Sequence, residues 1–286
     1  MADITAIILT MNESKNISDC IKSIRNFAAR IVVIDSGSTD DTVEIAKKLG
    51  TEVYFHEFEN HSAQFNWALD NTNIETKWVL RLDADERLTN ELCVEAEQAM
   101  IEHVSDDVNG MVLRFKVFFL GRWIKHGGVY PFRKLLIFKT GIGRVENRKM
   151  DEHTILSHGT SIELKNDGLH YDFKNLTHWV NKHNWYATRE MQEYYETVTP
   201  DSFQQMPDEK IKGRRTQKTK YYKLPIFIRP LLLFIYRYFF RLGFLDGREG
   251  LIFHYLQSLW YRFLVDAKIY EHQKMGGEME KTGALR

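Results

Sequence analysis

Ile31-Val32-Val33-Ile34, followed by Asp35-Ser36-Gly37-Ser38-Thr39-Asp40, is the stretch that decides the fold. Four consecutive β-branched residues, too few for a helix and with no polar alternation, predict a strand buried on both faces. The polar run ends it abruptly, supplying a turn glycine and N-cap residues for the next helix, which runs through Ala46 and Leu49. The same grammar appears on either side. Upstream, Ala6-Ile7-Ile8-Leu9-Thr10 reads as a strand ending in Met11-Asn12-Glu13-Ser14, and Ile17, Ile21, Ile24 and Phe27 then recur with helical spacing. Downstream come a weaker strand at Glu52–His56, a helix around Gln64–Leu69 and the strand Trp78–Leu82, ending in Asp83-Ala84-Asp85-Glu86. Strand–helix alternation of this kind predicts an α/β fold, with a mostly parallel sheet covered by helices on both faces. In such sheets ligands sit beyond the carboxyl ends of the strands. Three polar clusters fall at those ends.

Two carboxylates at a strand end, Asp83 and Asp85, are costly to desolvate without a counter-charge. A divalent cation carrying diphosphate oxygens is one partner, because Mg²⁺ and Mn²⁺ prefer oxygen ligands and keep positions open for phosphate. A solvated turn is the other reading of Asp-x-Asp taken alone. Asp35 is placed to accept hydrogen bonds from a ribose or a base edge, although the Ser36–Asp40 turn also suits a plain N-cap loop. A phosphatase with an Asp-x-Asp nucleophile would want Thr or Val at position 87, where this chain has Arg. A nucleotidyltransferase would want a Gly-rich basic loop after the first strand, where this chain has Met11–Ser14.

Leu9–Glu13, Val33–Thr42 and Leu82–Glu86 together resemble the three signatures of family 2 glycosyltransferases. The subgroup resembled most is the lipopolysaccharide core β-1,4-glucosyltransferase type. The similarity continues through His61–Asn66, Gly127–Phe138 and Asp151-Glu152-His153 and fades after about Ala187. The resemblance implies a GT-A fold and an inverting transfer from a nucleotide-sugar donor such as UDP-glucose to a lipid-linked or polysaccharide acceptor. It implies that Thr10, Asn12, Glu13, Asp35, Ser36, Ser38, Asp83 and Ala84 line the nucleotide-sugar site, with Gln64 and Asn66 pointing at the donor. Asp85, with Asp83 and His170, would hold Mg²⁺ or Mn²⁺, and Arg133 and Lys134 would face the diphosphate or acceptor. Relatives usually carry a His-Glu pair where this chain has Asp151-Glu152, so Glu152 matches the family's catalytic acid and Asp151 is its stand-in. A structural pairing of Glu152 with Arg144 or Arg148 is the competing use of that carboxylate. A sugar-nucleotide-binding protein of envelope assembly that does not turn over would need the same residues. Trp123 and Trp179 read as aromatic core more readily than as sugar platforms.

The 39 Lys and Arg balance 39 Asp and Glu, so no global charge points to nucleic acid. Cys20 and Cys93 have no metal-type spacing, and Cys20 falls on an apolar helix face, as buried filler. No signal-peptide pattern opens the chain, which predicts a cytoplasmic protein. The residues from 1 to 200 read as the glycosyltransferase domain, nucleotide-binding to about 105 and acceptor-binding after it; 201–286 reads as a basic linker and helical extension. Leu224–Leu242 holds twelve Leu, Ile and Phe residues but also Arg229, Arg237 and Arg241. At roughly −0.5 kcal/mol for each apolar residue and about +3 for each Arg, spanning a bilayer is unfavourable. Lying in the interface, with arginine heads on lipid phosphates, fits better. Seven basic residues from Lys210 to Lys223 precede the stretch. Peripheral attachment of region 210–245 to the inner face of the cytoplasmic membrane is the expectation, with a homo-oligomer contact as the other use of such a surface.

Overall fold

The computed structural model describes residues 1–146, 152–172, 174–197 and 209–275. The chain forms two compact units, Met1–Phe118 with Tyr130–Asp172, and Phe119–Val129 with Phe173–Arg286 as far as described.

The first unit opens with β1 (Ala2–Thr10), α1 (Ile17–Ile24), β2 (Ala28–Asp35), α2 (Thr42–Lys48), β3 (Glu52–Phe55), α3 (His61–Asn71) and β4 (Trp78–Asp83). Strands β3, β2, β1 and β4 lie side by side and parallel. The chain first adds β2 and β3 on one side of β1, then crosses to lay β4 on the other. The ends of β1 and β4 therefore flank a topological switch point, where α/β sheets open a crevice. Burial alternates as the pleat requires: Ile4, Ala6 and Ile8 pack with Ile17, Ile21 and Trp78, while Ile7 and Leu9 pack with Val32, Phe65 and Val79 on the opposite face.

Beyond β4 the sheet becomes mixed. It continues through β5 (Glu86–Arg87), α4 (Asn90–Glu102) and β6 (Val108–Phe119); then β7 (Arg122–Trp123) falls in the 119–129 excursion. Next come β8 (Phe132–Lys139), β9 (Gly143–Val145), β10 (Thr154–Leu156) and β11 (Thr160–His170). The sheet order is β3-β2-β1-β4-β8-β6-β11-β5, and β8 runs antiparallel to both β4 and β6. The fold is thus a mixed, Rossmann-like α/β sheet.

In the second unit follow α5 (Leu176–Thr197), α6 (Glu209–Tyr222) and α7 (Ile228–Ile235), a π-turn at Tyr236–Phe240, a 3-10 turn at Gly243–Asp246, α8 (Gly247–His254), a second π-turn and α9 (Tyr261–Met275). Ala187 and Met191 pack on Tyr261, Val265 and Ile269, and Trp179 is core, stacked on His183 at 3.4 Å. Two expectations change here. The segment read as a linker to Gln217 is helical from Glu209; its first part lies outside the described residues. Leu224–Leu242 is not helical throughout, because Phe227 adopts a left-handed backbone and the helix, with its π-turn, runs only from Ile228 to Phe240. Among the described residues no helix is long and apolar enough to cross a membrane.

Candidate active site

The register of the parallel strands brings the first two clusters together: Thr10 pairs with Asp35, and Leu9 with Asp83. Asp35 spends its carboxylate on its own turn, accepting from the Gly37 and Ser38 amides at 2.9 and 2.8 Å and from the Ser38 hydroxyl. Gly37 can close that turn because its φ of +93° is open to glycine. The β1 loop is sewn to it. The Asn12 amide donates to Ser38 Oγ at 2.8 Å, Asn12 Oδ1 accepts from the Thr39 amide at 2.8 Å, and the Glu13 amide donates to Thr42 Oγ1 at 2.8 Å. Burial pushes the Asp40 carboxyl up, but hydrogen bonds from Thr42 and Ser14 outweigh it and hold the group below its ordinary range. Within this rigid wall, Thr10 Oγ1 is buried and has no hydrogen-bond partner. Such a group costs about 1–3 kcal/mol unless a ligand satisfies it.

Gln64 and Asn66 do not extend the wall. Gln64, fully buried, donates to Ser36 Oγ at 2.8 Å and to the His56 carbonyl at 2.9 Å, and its oxygen meets His56 Nδ1. Asn66 exchanges hydrogen bonds with the backbone of Val145 at 2.7 and 3.0 Å. Both amides brace the loops around them. Ser36 is likewise a bracing residue through Gln64.

The third cluster is an ionic knot. Lys134, delivered by antiparallel β8, donates to Asp83 Oδ2 at 2.8 Å and to Glu86 Oε1 at 2.6 Å. Glu86 has no exposed surface, and its second oxygen accepts from the Asp83 amide at 3.0 Å. Burial pushes the Glu86 carboxyl up, Lys134 offsets part of this, and Asp83 and Asp85 add to the rise. Burial acts on Asp83 the same way, but Lys134 and Arg81 outweigh it and hold that carboxyl well below the usual range. Beneath the knot Cys20, buried as expected, places Sγ 3.6 Å from the Asp83 carbonyl; burial, then Glu86, Asp85 and Asp83, push its thiol far up. Ala84 is buried core and offers the site only its backbone.

His170 reaches this knot through strand pairing, since β11 lies antiparallel to β5 with His170 opposite Glu86. Its Nε2 is 3.7 Å from Asp85 Oδ1, its Nδ1 is buried without a hydrogen-bond partner, and the next amide, Tyr171, donates to the Asp85 carbonyl at 2.8 Å. The expected three-residue metal set is therefore split. Asp85 and His170 are together, whereas Asp83 is turned onto Lys134. Among the described residues no three His, Cys, Asp or Glu side chains could hold an ion by themselves. The donor set still suits a divalent ion whose other ligands are phosphate oxygens and water, since one carboxylate and one imidazole leave most positions open.

Of the expected catalytic acids, Asp151 lies outside the described residues. Glu152 lies two residues before the start of β10, and its neighbour His153 donates its amide to Glu146 at 2.9 Å. Of the two arginines that could pair with Glu152, Arg144 forks onto Asp70 at 2.7 and 2.9 Å and Arg148 lies outside the described residues. Arg133 donates to Glu163 at 2.9 Å, and Lys134 lies on Asp83 and Glu86. The sequence assigns Glu86 no role and sets Lys134 against phosphate. The one available signal was a lysine on a strand with three acids at the end of another.

The family model for glycosyl transferase family 2 matches residues 5–156. An uncharacterized glycosyltransferase of Rickettsia conorii is 40% identical over 103 residues, a stretch that is 36% of this chain and 36% of that protein. A lipopolysaccharide core biosynthesis glycosyltransferase of Rhizobium meliloti is 26% identical over 292 residues, 99% of this chain and 97% of that one. Among solved structures, glucosyl-3-phosphoglycerate synthase of Mycobacterium tuberculosis aligns with a TM-score of 0.43 and 13% identity, over 70% of this chain and 81% of that one.

Proposed function

Because the chain belongs to glycosyltransferase family 2, we propose that it transfers a sugar, with inversion, from a nucleotide-sugar donor to an acceptor hydroxyl. The observation that carries the reading is the unpartnered, buried Thr10 hydroxyl at the switch point, between the strand ends bearing Asp35 and Asp83. A nucleotide seated there would satisfy it, with the Asn12–Glu13 backbone and the Asp35 turn as walls. A divalent ion, Mg²⁺ or Mn²⁺, on Asp85 and His170 would supply positive charge against the departing diphosphate. Glu152 takes the proton from the acceptor hydroxyl as its oxygen bonds to the anomeric carbon and the diphosphate leaves from the opposite face. The end-to-end similarity to a lipopolysaccharide core enzyme supports a lipopolysaccharide or lipid-linked acceptor, met at the cytoplasmic face of the membrane; UDP-glucose or a close analogue is the donor the motif resemblance implies.

Calorimetric titration with a panel of nucleotide sugars, with Mn²⁺ and with chelator, tests the first step. One donor should bind, and more tightly with the ion. Silence across the panel in both conditions would overturn the reading and leave a scaffold. Glu152→Gln should keep donor affinity while transfer falls by about 10²–10⁴, the usual worth of a general base. Unchanged transfer would move the base to Asp151.

A further inference from the structure

Helix α7 and the π-turn that continues it are inside out. Ile228, Leu231, Leu232, Tyr236, Phe239 and Phe240 recur at intervals of three and four, so they share one face, and every one is exposed, from 46% for Leu232 to 75% for Phe240. The face turned inward is the charged one. Arg229, 1% exposed, donates to Asp266 through Nε at 2.8 Å and also through a terminal nitrogen, gives a third hydrogen bond to the Tyr222 carbonyl at 3.0 Å, and lies over the Tyr222 ring. The other oxygen of Asp266 accepts from the Phe227 amide at 2.8 Å, at the start of the same helix. Arg237 is also drawn inward, 3.5 Å from Ser258 Oγ. A surface helix of a water-soluble unit does the opposite, packing its apolar stripe on the core. Here the polar face is already satisfied inside the unit, and the hydrocarbon faces out.

Leu242, Phe244 and Leu245 extend the exposed apolar surface past the helix end. The exposed charges along the chain beside it are basic, and the one acid between Lys210 and Arg248, Asp246, is buried. Exposed Lys220 and Lys223 stand before the stripe, and exposed Arg241 and Arg248 after it. Such a rim disfavours a second copy, whose own basic rim would be brought against it. It complements an anionic leaflet. The stripe from Ile228 to Phe240 is ~20 Å long at about 1.5 Å per residue, too short for a hydrocarbon core of about 30 Å.

We propose that this outward face is a monotopic docking surface for an anionic lipid bilayer, in which the Ile, Leu and Phe side chains of α7 and its π-turn enter the interfacial layer. Insertion then belongs to hydrocarbon, and Arg229 and Arg237 brace the helix from within. That replaces the sequence expectation that these arginines reach lipid phosphates. The docking surface does not depend on which sugar is transferred, or on transfer at all.

The test uses the full chain carrying Phe240→Cys, labelled with an environment-sensitive fluorophore; Lys48→Cys, exposed in the first unit, is the control, and the native cysteines are buried. Vesicles of phosphatidylglycerol and phosphatidylethanolamine should shift the label at 240 to the blue and leave that at 48 unchanged. Pure phosphatidylcholine should do much less. Phe239→Ser with Phe240→Ser should lower the vesicle-bound fraction at least about tenfold, while circular dichroism and donor titration match the parent chain. Two results would overturn the proposal. One is a parent chain that stays in the supernatant with anionic vesicles. The other is a shift at 240 that ignores lipid and tracks protein concentration, with the mass doubling in light scattering, which assigns the face to a second copy.

Discussion

Asp85→Ala is expected to lower sugar transfer by roughly 10²–10³, the range seen when one group stabilising developing charge is removed, while the fold stays intact. The two halves of this expectation rest on different atoms. The backbone of Asp85 is fixed from outside its side chain, since its carbonyl accepts from the Tyr171 amide at 2.8 Å and β11 pairs with β5 beside it. Its carboxylate, in contrast, adds to the negative charge around fully buried Glu86. Removing it relieves repulsion, so thermal unfolding should be unchanged or slightly later. What is lost is the oxygen 3.7 Å from His170 Nε2. Calorimetry of the variant should show donor binding that no longer tightens with Mn²⁺. Normal transfer, or an unaltered effect of Mn²⁺ on donor affinity, would remove Asp85 from the ion site.

How much of this site was legible depends on how far along the chain each part is specified. Thr10, Asp35 and Asp83 could be found because each ends a near-continuous apolar run, and parallel pairing carries such ends to one edge whatever the details. Lys134 could not be placed in the same way. It meets Asp83 across 51 residues, through a strand running antiparallel in a sheet that reads as parallel up to β4. Gln64 and Asn66 sit on the helix where the family similarity lies, but a primary amide satisfies a loop as readily as a ligand. Only the positions of His56 and Val145 show that these two hold loops. The tail shows the same limit in another form. Spacing reveals that α7 has an apolar and a charged face, yet it is silent on which one faces out. That was decided by Asp266, a lone acid 37 residues beyond Arg229.

Glu190→Gln should be the most damaging conservative change in the second unit, costing about 3–5 kcal/mol at pH 7, as removal of one member of a buried ionic cluster does. Glu190 is buried on α5 and accepts from Tyr222 and Tyr261 hydroxyls at 2.7 and 2.5 Å and from Arg262 at 2.6 Å, with Lys218 at 3.7 Å. Burial alone would push its carboxyl up. Arg262 and Lys218, helped by the two hydroxyls, outweigh it and bring the group down to about 2. An unfolded glutamate titrates near 4.3, so about two units separate the states, worth roughly 3 kcal/mol. Because the folded value is the lower one, this stabilisation is complete above about pH 4.3 and drains away as the pH falls toward about 2. Glutamine keeps the shape and can still bond the hydroxyls, but it leaves the partly buried Arg262 beside a neutral group at every pH. The gap between parent and variant in urea unfolding should therefore be widest at pH 7, hold to about pH 5 and narrow by pH 3. A gap as wide at pH 3 as at pH 7 would mean that hydrogen-bond geometry, and not charge, is what Glu190 contributes. Asp266 plays the corresponding part for α7, holding Arg229 inside while that helix turns its hydrocarbon outward.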